Sequence, residues 1–278
     1  MSQGMLQQLR TLPAGPGSLE QLECLLRDQD LQEPWLAMDV LRCYQSIWLG
    51  LPEAVRDGLD TSMNQLLERI QRLMKQKSFP FPDLLPSDPV LPALIDPQAS
   101  QQISYAKLRS FIQEFDLGLP CPGQGRPRVA VMLPNGPTLA LAVLAIANRY
   151  TMIPMARTAA PDQLRADVEA VDADAILMLE SDMSNVDLGQ LPVFVVHPQP
   201  DLTFTVASTY PIARATQPTP SNGPDDVAVL LFTSGTSGKK KLVPITAYNL
   251  FAGAVLTMDS VALTESSRCL NMMPLHHM

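Results

Sequence analysis

Hydrophobic and polar positions divide the chain into two regimes. Up to about residue 78 the apolar positions recur at helical spacing. Met63, Leu66, Leu67, Ile70, Leu73 and Met74 keep a three-four interval behind Asp60, Thr61 and Ser62, with Glu68, Arg69, Arg72 and Lys75 on the other face. Ser18 and Gln21 form a capping-box pair ahead of Leu22, Leu25 and Leu26, and a further helical segment is expected from about Glu33 to Leu49. A small helical bundle or docking appendage follows from this pattern. Its acidic surroundings oppose adsorption on anionic lipid. Prolines then punctuate the chain at Pro80, Pro82, Pro86, Pro89, Pro92 and Pro97, which excludes a continuous helix or a central strand. The expected organisation is a helical N-terminal region with a proline-rich linker over 1–85, and a second region over 86–278.

In the second region the period changes to alternating strands and helices. Ile103 to Phe115 reads as a helix behind a short strand. Val129 to Leu133 is a buried strand stopped by Pro134-Asn135-Gly136, and Pro137 opens a helix whose Leu139 to Ala147 stretch is apolar all round. Thr151 to Met155 is a strand, and Pro161 opens a helix with Leu164, Val168 and Val171 on one face. Ala175 to Leu179 and Val193 to Val196 are further strands, with His197 at a strand end. Such alternation predicts an α/β fold: a mostly parallel sheet with flanking helices.

Composition narrows the function classes. The 278 residues are enough to bury a core, and 46% hydrophobic against 17% charged is a globular balance. A net charge of −8 disfavours nucleic-acid wrapping. The longest apolar run, Leu139 to Ala147, is too short to cross a bilayer, so no membrane span is expected. Cys24, Cys43, Cys121 and Cys269 lack CxxC spacing, so the expectation is a reducing, cytoplasmic setting with no metal site.

The candidate chemistry lies in one segment. An apolar strand, Val227 to Phe232, runs into nine residues made only of Thr, Ser, Gly and Lys, and a short strand or helix start follows. Gly235 and Gly238 permit positive φ, which lets successive N–H groups turn inward as an anion nest. Thr233, Ser234, Thr236 and Ser237 add hydroxyl donors, and Lys239 and Lys241 add positive charge. Donors, close backbone approach and cations together suit a triphosphate. The P-loop NTPase pattern does not fit: Thr233 stands where its first glycine belongs, and Lys240 where its Ser or Thr belongs. No GxGxxG occurs at a strand-to-helix turn.

Thr233-Ser234-Gly235-Thr236-Ser237-Gly238-Lys239-Lys240-Lys241 resembles the phosphate-binding signature of the acyl-adenylate-forming (AMP-binding) superfamily. That group includes acyl-CoA synthetases and the adenylation domains of nonribosomal peptide synthetases. Lys241 matches the family lysine, whereas Lys240 replaces the usual proline and Leu242 the usual glycine. Ile103 to Leu108 looks like an early family element, and Val129 to Pro154 like its first strand-helix-strand unit. Met273-Pro274-Leu275-His276-His277 resembles the Pro-Leu-Phe-His motif, with His277 as the histidine lining the acyl pocket.

The resemblance implies the N-terminal part of the adenylate-forming large domain, and with it activation of a small carboxylic acid by ATP. Coenzyme A or a carrier protein's phosphopantetheine would accept the acyl group, giving a thioester. Magnesium is implied too, though the family's acidic ligand, adenine-binding segment and catalytic lysine have no counterpart here, and no residue of this chain is assigned a catalytic role. Three readings are open at this point: a truncated adenylating enzyme, a catalytically silent nucleotide-binding module with a binding or regulatory role, or one half of a split enzyme needing a complementary chain.

Overall fold

Val129 to Met132 are buried on both sides, and this accounts for their unbroken apolar run. The computed structural model describes residues 80–278 apart from 123, 124, 185, 210–216, 234–239, 262, 265 and 276–278, together with scattered positions between 11 and 68. The chain divides into two compact units, residues 1–78 with 252–263, and residues 79–251 with 264–278. In the first, residues 46–50 are helical and Cys43, Ile47 and Leu51 are buried. Most of the three helices expected over 1–78 lies outside the described residues.

The second unit begins with a one-turn helix, α1 (Phe81–Leu84), and an antiparallel pair, β1 (Pro92–Asp96) and β2 (Gln101–Ser104). Helix α2 (Tyr105–Glu114) starts at Ser104, whose hydroxyl accepts the Lys107 N–H, so the side chain satisfies one of the unpaired donors at the helix start. The main elements follow in order: β3 (Arg128–Met132), α3 (Pro137–Ala147), β4 (Thr151–Pro154), α4 (Pro161–Ala170) and β5 (Ala175–Leu179). Then come α5 (Glu180–Met183), β6 (Val193–Pro198), β7 (Phe204–Ser208), β8 (Val227–Thr233), β9 (Lys241–Thr246) and α6 (Ala247–Ser260), whose residues from 252 onward belong to the first unit.

Among the described residues seven strands form one sheet in the order β7-β6-β5-β3-β4-β8-β9. The five inner strands are parallel, and β7 and β9 run antiparallel at the two edges. The antiparallel edges refine the expectation of a mostly parallel sheet. The segment after the glycine-rich loop, left open between strand and helix, is strand β9.

Alternate residues of each inner strand serve opposite faces. Val129, Val131, Ala175 and Leu177 join α2 and α3 in one core, and Ala130, Met132, Ile176 and Met178 join Leu164 and Val168 of α4 in the other. The chain leaves β3 through α3 to β4 on one side, then crosses through α4 to β5 on the other side of β3. This reversal makes a topological switch point, and in open α/β sheets ligands bind outside the carboxyl ends of the strands there.

Candidate functional site

The carboxyl edge of the parallel strands gathers several loops. After β3, Asn135 and Gly136 turn the chain into α3. Gly136 has φ 153° and ψ −171°, backbone that side-chain-bearing residues avoid, and Pro137 follows at the helix start. After β4, the Arg157 guanidinium makes a bidentate pair with Asp182 of α5, with Nε and Nη2 at 2.8–3.1 Å from the carboxylate oxygens. The loops leaving β4 and β5 are thereby joined across the end of β3.

Strand β8 delivers the glycine-rich segment to this same edge. It is parallel to β4, with Val229 opposite Met152. Strand β9 returns antiparallel, with Phe232 opposite Leu242 and Thr233 opposite Lys241. Thr233 and Lys241 therefore face each other across the mouth of the loop. Both are exposed, and Lys241 makes no ion pair among the described residues. Ser234, Gly235, Thr236, Ser237, Gly238 and Lys239 lie outside the described residues, as does His277. The chain just before His277 meets the same edge: the Leu275 N–H donates to Asn135 Oδ1 at 3.0 Å, and Leu275 packs on the α2/α3 core.

The opposite end of β8 is held by buried and half-buried polar contacts. Asn222 donates from Nδ2 to the Ala147 and Tyr150 carbonyls at 2.9 and 3.1 Å, and its backbone N–H donates to the Asn148 carbonyl at 2.7 Å. Arg126 binds the Asp226 carboxylate at 2.8 Å and donates to the Pro220 and Ser221 carbonyls. The Tyr150 hydroxyl donates to Asp116, which also accepts the backbone N–H groups of Gly118 and Thr219. Burial acts to raise the Asp116 carboxyl, but these hydrogen bonds outweigh it and hold the group below its ordinary 3.8. The Tyr150 phenol is pushed up, first by burial and then by its bond to Asp116. These contacts fix the approach of β8 from the far side of the sheet.

Sequence reasoning missed one contact at the loop itself. Lys240, the residue standing in for the usual proline, is ion-paired with Asp167 of α4 and lies over the Phe232 ring. A cavity of about 350 Å³ beside β5 and β6, lined by Met178, Met183, Leu191 and Val193 among others, contains no residue of the β8–β9 hairpin.

Comparison with known proteins supplies the family. The AMP-binding enzyme family matches residues 86–278, well over half of the chain. This chain belongs to the AMP-binding enzyme family. It is 28% identical over 200 residues to a sulfoacetate–CoA ligase of Cupriavidus necator, an alignment covering 68% of this chain and 38% of that protein. The chain thus spans well under half of that curated relative. Over 53 residues, 19% of this chain and 11% of the other, it is 38% identical to a 2-succinylbenzoate–CoA ligase of Staphylococcus aureus. The fold is similar to part of ATP-bound MatB from Rhodopseudomonas palustris, with a TM-score of 0.50 at 19% identity over 69% of this chain and 39% of that one. The α/β architecture therefore matches that of the N-terminal part of adenylate-forming enzymes. No helix among the described residues is long and apolar enough to cross a membrane.

Proposed function

We propose that this AMP-binding family member takes part in the ATP-dependent activation of a small carboxylic acid as an acyl adenylate, on the way to a thioester. One observation carries the reading. The hydroxyl-, glycine- and lysine-rich loop springs from a buried parallel strand at the carboxyl edge of the sheet, with Lys241 exposed at its mouth and unpaired among the described residues.

A carboxylate is a poor acyl electrophile, because the group to be expelled would be oxide. Attack of its oxygen on the α-phosphorus of ATP forms an oxygen–phosphorus bond and expels pyrophosphate. AMP is then a competent leaving group for a thiol. Such transfers depend mainly on positioning and on neutralising charge. In this reading Thr233 and the hydroxyls and N–H groups of Ser234, Gly235, Thr236, Ser237 and Gly238 hold the outer phosphates. Lys239 and Lys241 balance the charge of the departing pyrophosphate, and His277 lines the acyl pocket.

Coenzyme A or a phosphopantetheine thiol fits the acceptor role, the latter bringing a carrier protein as partner. Magnesium would neutralise the phosphate tail. Among the described residues no group of three or more His, Cys, Asp or Glu side chains could hold a metal ion.

The test is calorimetric titration of the 278-residue chain with ATP, together with pyrophosphate release over a panel of carboxylic acids. Binding with release supports acid activation. Binding without release supports the nucleotide-binding module, or a split enzyme if a complementary chain restores release. No binding removes the proposal.

A further inference from the structure

Lys240 is the one lysine of the 239–241 run whose charge the described structure shows to be engaged. Its Nζ lies 2.8 and 2.6 Å from the two oxygens of Asp167 and 5.2 Å from the centre of the Phe232 ring. Asp167 sits on the sheet-facing side of α4 and is only 8% exposed. Its Oδ1 also accepts Gln163 Nε2 at 2.8 Å, one turn earlier on the same helix. Taking a carboxylate out of water costs free energy that a cation and hydrogen bonds offset. Lys240, 73 residues further along the chain, supplies the cation.

The consequence for the loop is geometric. The returning stem is held at two adjacent points: Lys241 is in register with Thr233 of β8, and Lys240 is tied to α4, which packs on one sheet face. Proline at position 240 would stiffen the same point by fixing φ. Lysine leaves φ free and substitutes a side-chain tether to a neighbouring element. The tether also withholds the Lys240 ammonium from the anion site.

Resting on the ATP reading above, we infer that Lys240 and Asp167 are positioning residues for the phosphate-binding loop. They hold the start of β9 so that Lys241 stays at the loop mouth, and neither touches the nucleotide. The prediction is an energetic coupling between two residues on different elements, expressed in ATP affinity.

The experiment is a double-mutant cycle on the full chain, with Lys240→Gln, Asp167→Asn and the pair together, titrated with ATP by calorimetry and melted in parallel. Each single variant should weaken ATP binding about three- to tenfold, and the double variant no more than either single one, as for residues that act only through each other. Lys240→Arg, which keeps the ion pair, should bind close to wild type. A tether serving only the fold would lower the melting temperature and leave the affinity of the folded protein unchanged, and that result overturns the inference. So does a double variant in which the losses multiply. If the wild-type chain binds ATP and the single variants match it, this inference alone falls. If the wild-type chain binds no ATP, the functional reading falls and takes the inference with it.

Discussion

Three lysines in succession, Lys239, Lys240 and Lys241, are chemically alike but differently placed. Lys240 is engaged by Asp167, while Lys241 opens β9 without an ion-pair partner among the described residues. Replacing Lys241 by alanine should therefore weaken ATP binding by about 1–3 kcal/mol, the usual loss for a charged hydrogen bond to phosphate. The same change should leave the urea midpoint close to wild type, because Lys241 is exposed. Unchanged ATP affinity by calorimetry would remove Lys241 from the site. At the other end of β8 the argument concerns stability. Tyr150 is fully buried, and its hydroxyl both donates to Asp116 and accepts the Leu117 N–H at 3.0 Å. Tyr150→Phe leaves those groups short of a partner and should cost about 1–3 kcal/mol in urea unfolding. The pH dependence follows from the depressed Asp116 carboxyl. Its folded value lies below 3.8, so its contribution is fully present above the unfolded value and is lost as pH falls through the folded one. The stability gap between wild type and Asp116→Asn should hold steady above about pH 5 and narrow below pH 4. A gap that widened in acid would contradict the assigned direction.

At the scale of elements, helix α3 shows how burial writes itself into sequence. Leu139, Leu141, Ala142, Ala145, Ile146 and Ala147 are all at most 1% exposed, so the helix has little reason to carry polar residues. Leu141→Ala should destabilise by about 2–5 kcal/mol, the range for truncating a fully packed leucine, read as a shift in urea midpoint. Strands β3, β4 and β5 were legible for the same reason, since burial on both faces leaves an apolar run bounded by turns. Strand β7 was not. Phe204–Ser208 is short, lies at a sheet edge and carries Thr205 and Ser208 outward, so its sequence reads as loop. Strand β1 was hidden by the prolines around it, because what makes Pro92–Asp96 a strand is its partner Gln101–Ser104, the short strand read ahead of the helix, rather than its own composition. At the candidate site, the loop's residue types support the expectation of an anion cradle, but the Lys240–Asp167 tether spans 73 residues and no local spacing encodes it. The Asp116–Thr219 contact, 103 residues apart, was invisible on the same ground.

At the scale of the whole sheet, the order β7-β6-β5-β3-β4-β8-β9 sets a gradient of protection that can be measured. Strand β3 has parallel neighbours on both sides, and its residues 129–132 are covered by α2 and α3 on one face and by α4 on the other. Opening its amides requires disrupting both cores, so their exchange should report close to global unfolding of this unit. Strand β9 pairs only with β8 among the described residues, residues 241–244 are exposed, and Pro244 has no N–H to contribute. Its amides should exchange through local opening, orders of magnitude faster than those of β3. The candidate site thus combines an inner strand, which brings Thr233 to the carboxyl edge, with an edge strand that presents Lys241. If ATP engages both stems, its addition should slow exchange in β9 far more than in β3, because only β9 has unspent protection to gain. Hydrogen exchange with and without ATP, read strand by strand, tests this. Equal protection of β3 and β9 in the free chain would refute the edge assignment, and an ATP effect confined to β6 and β7 would place the nucleotide elsewhere on the sheet.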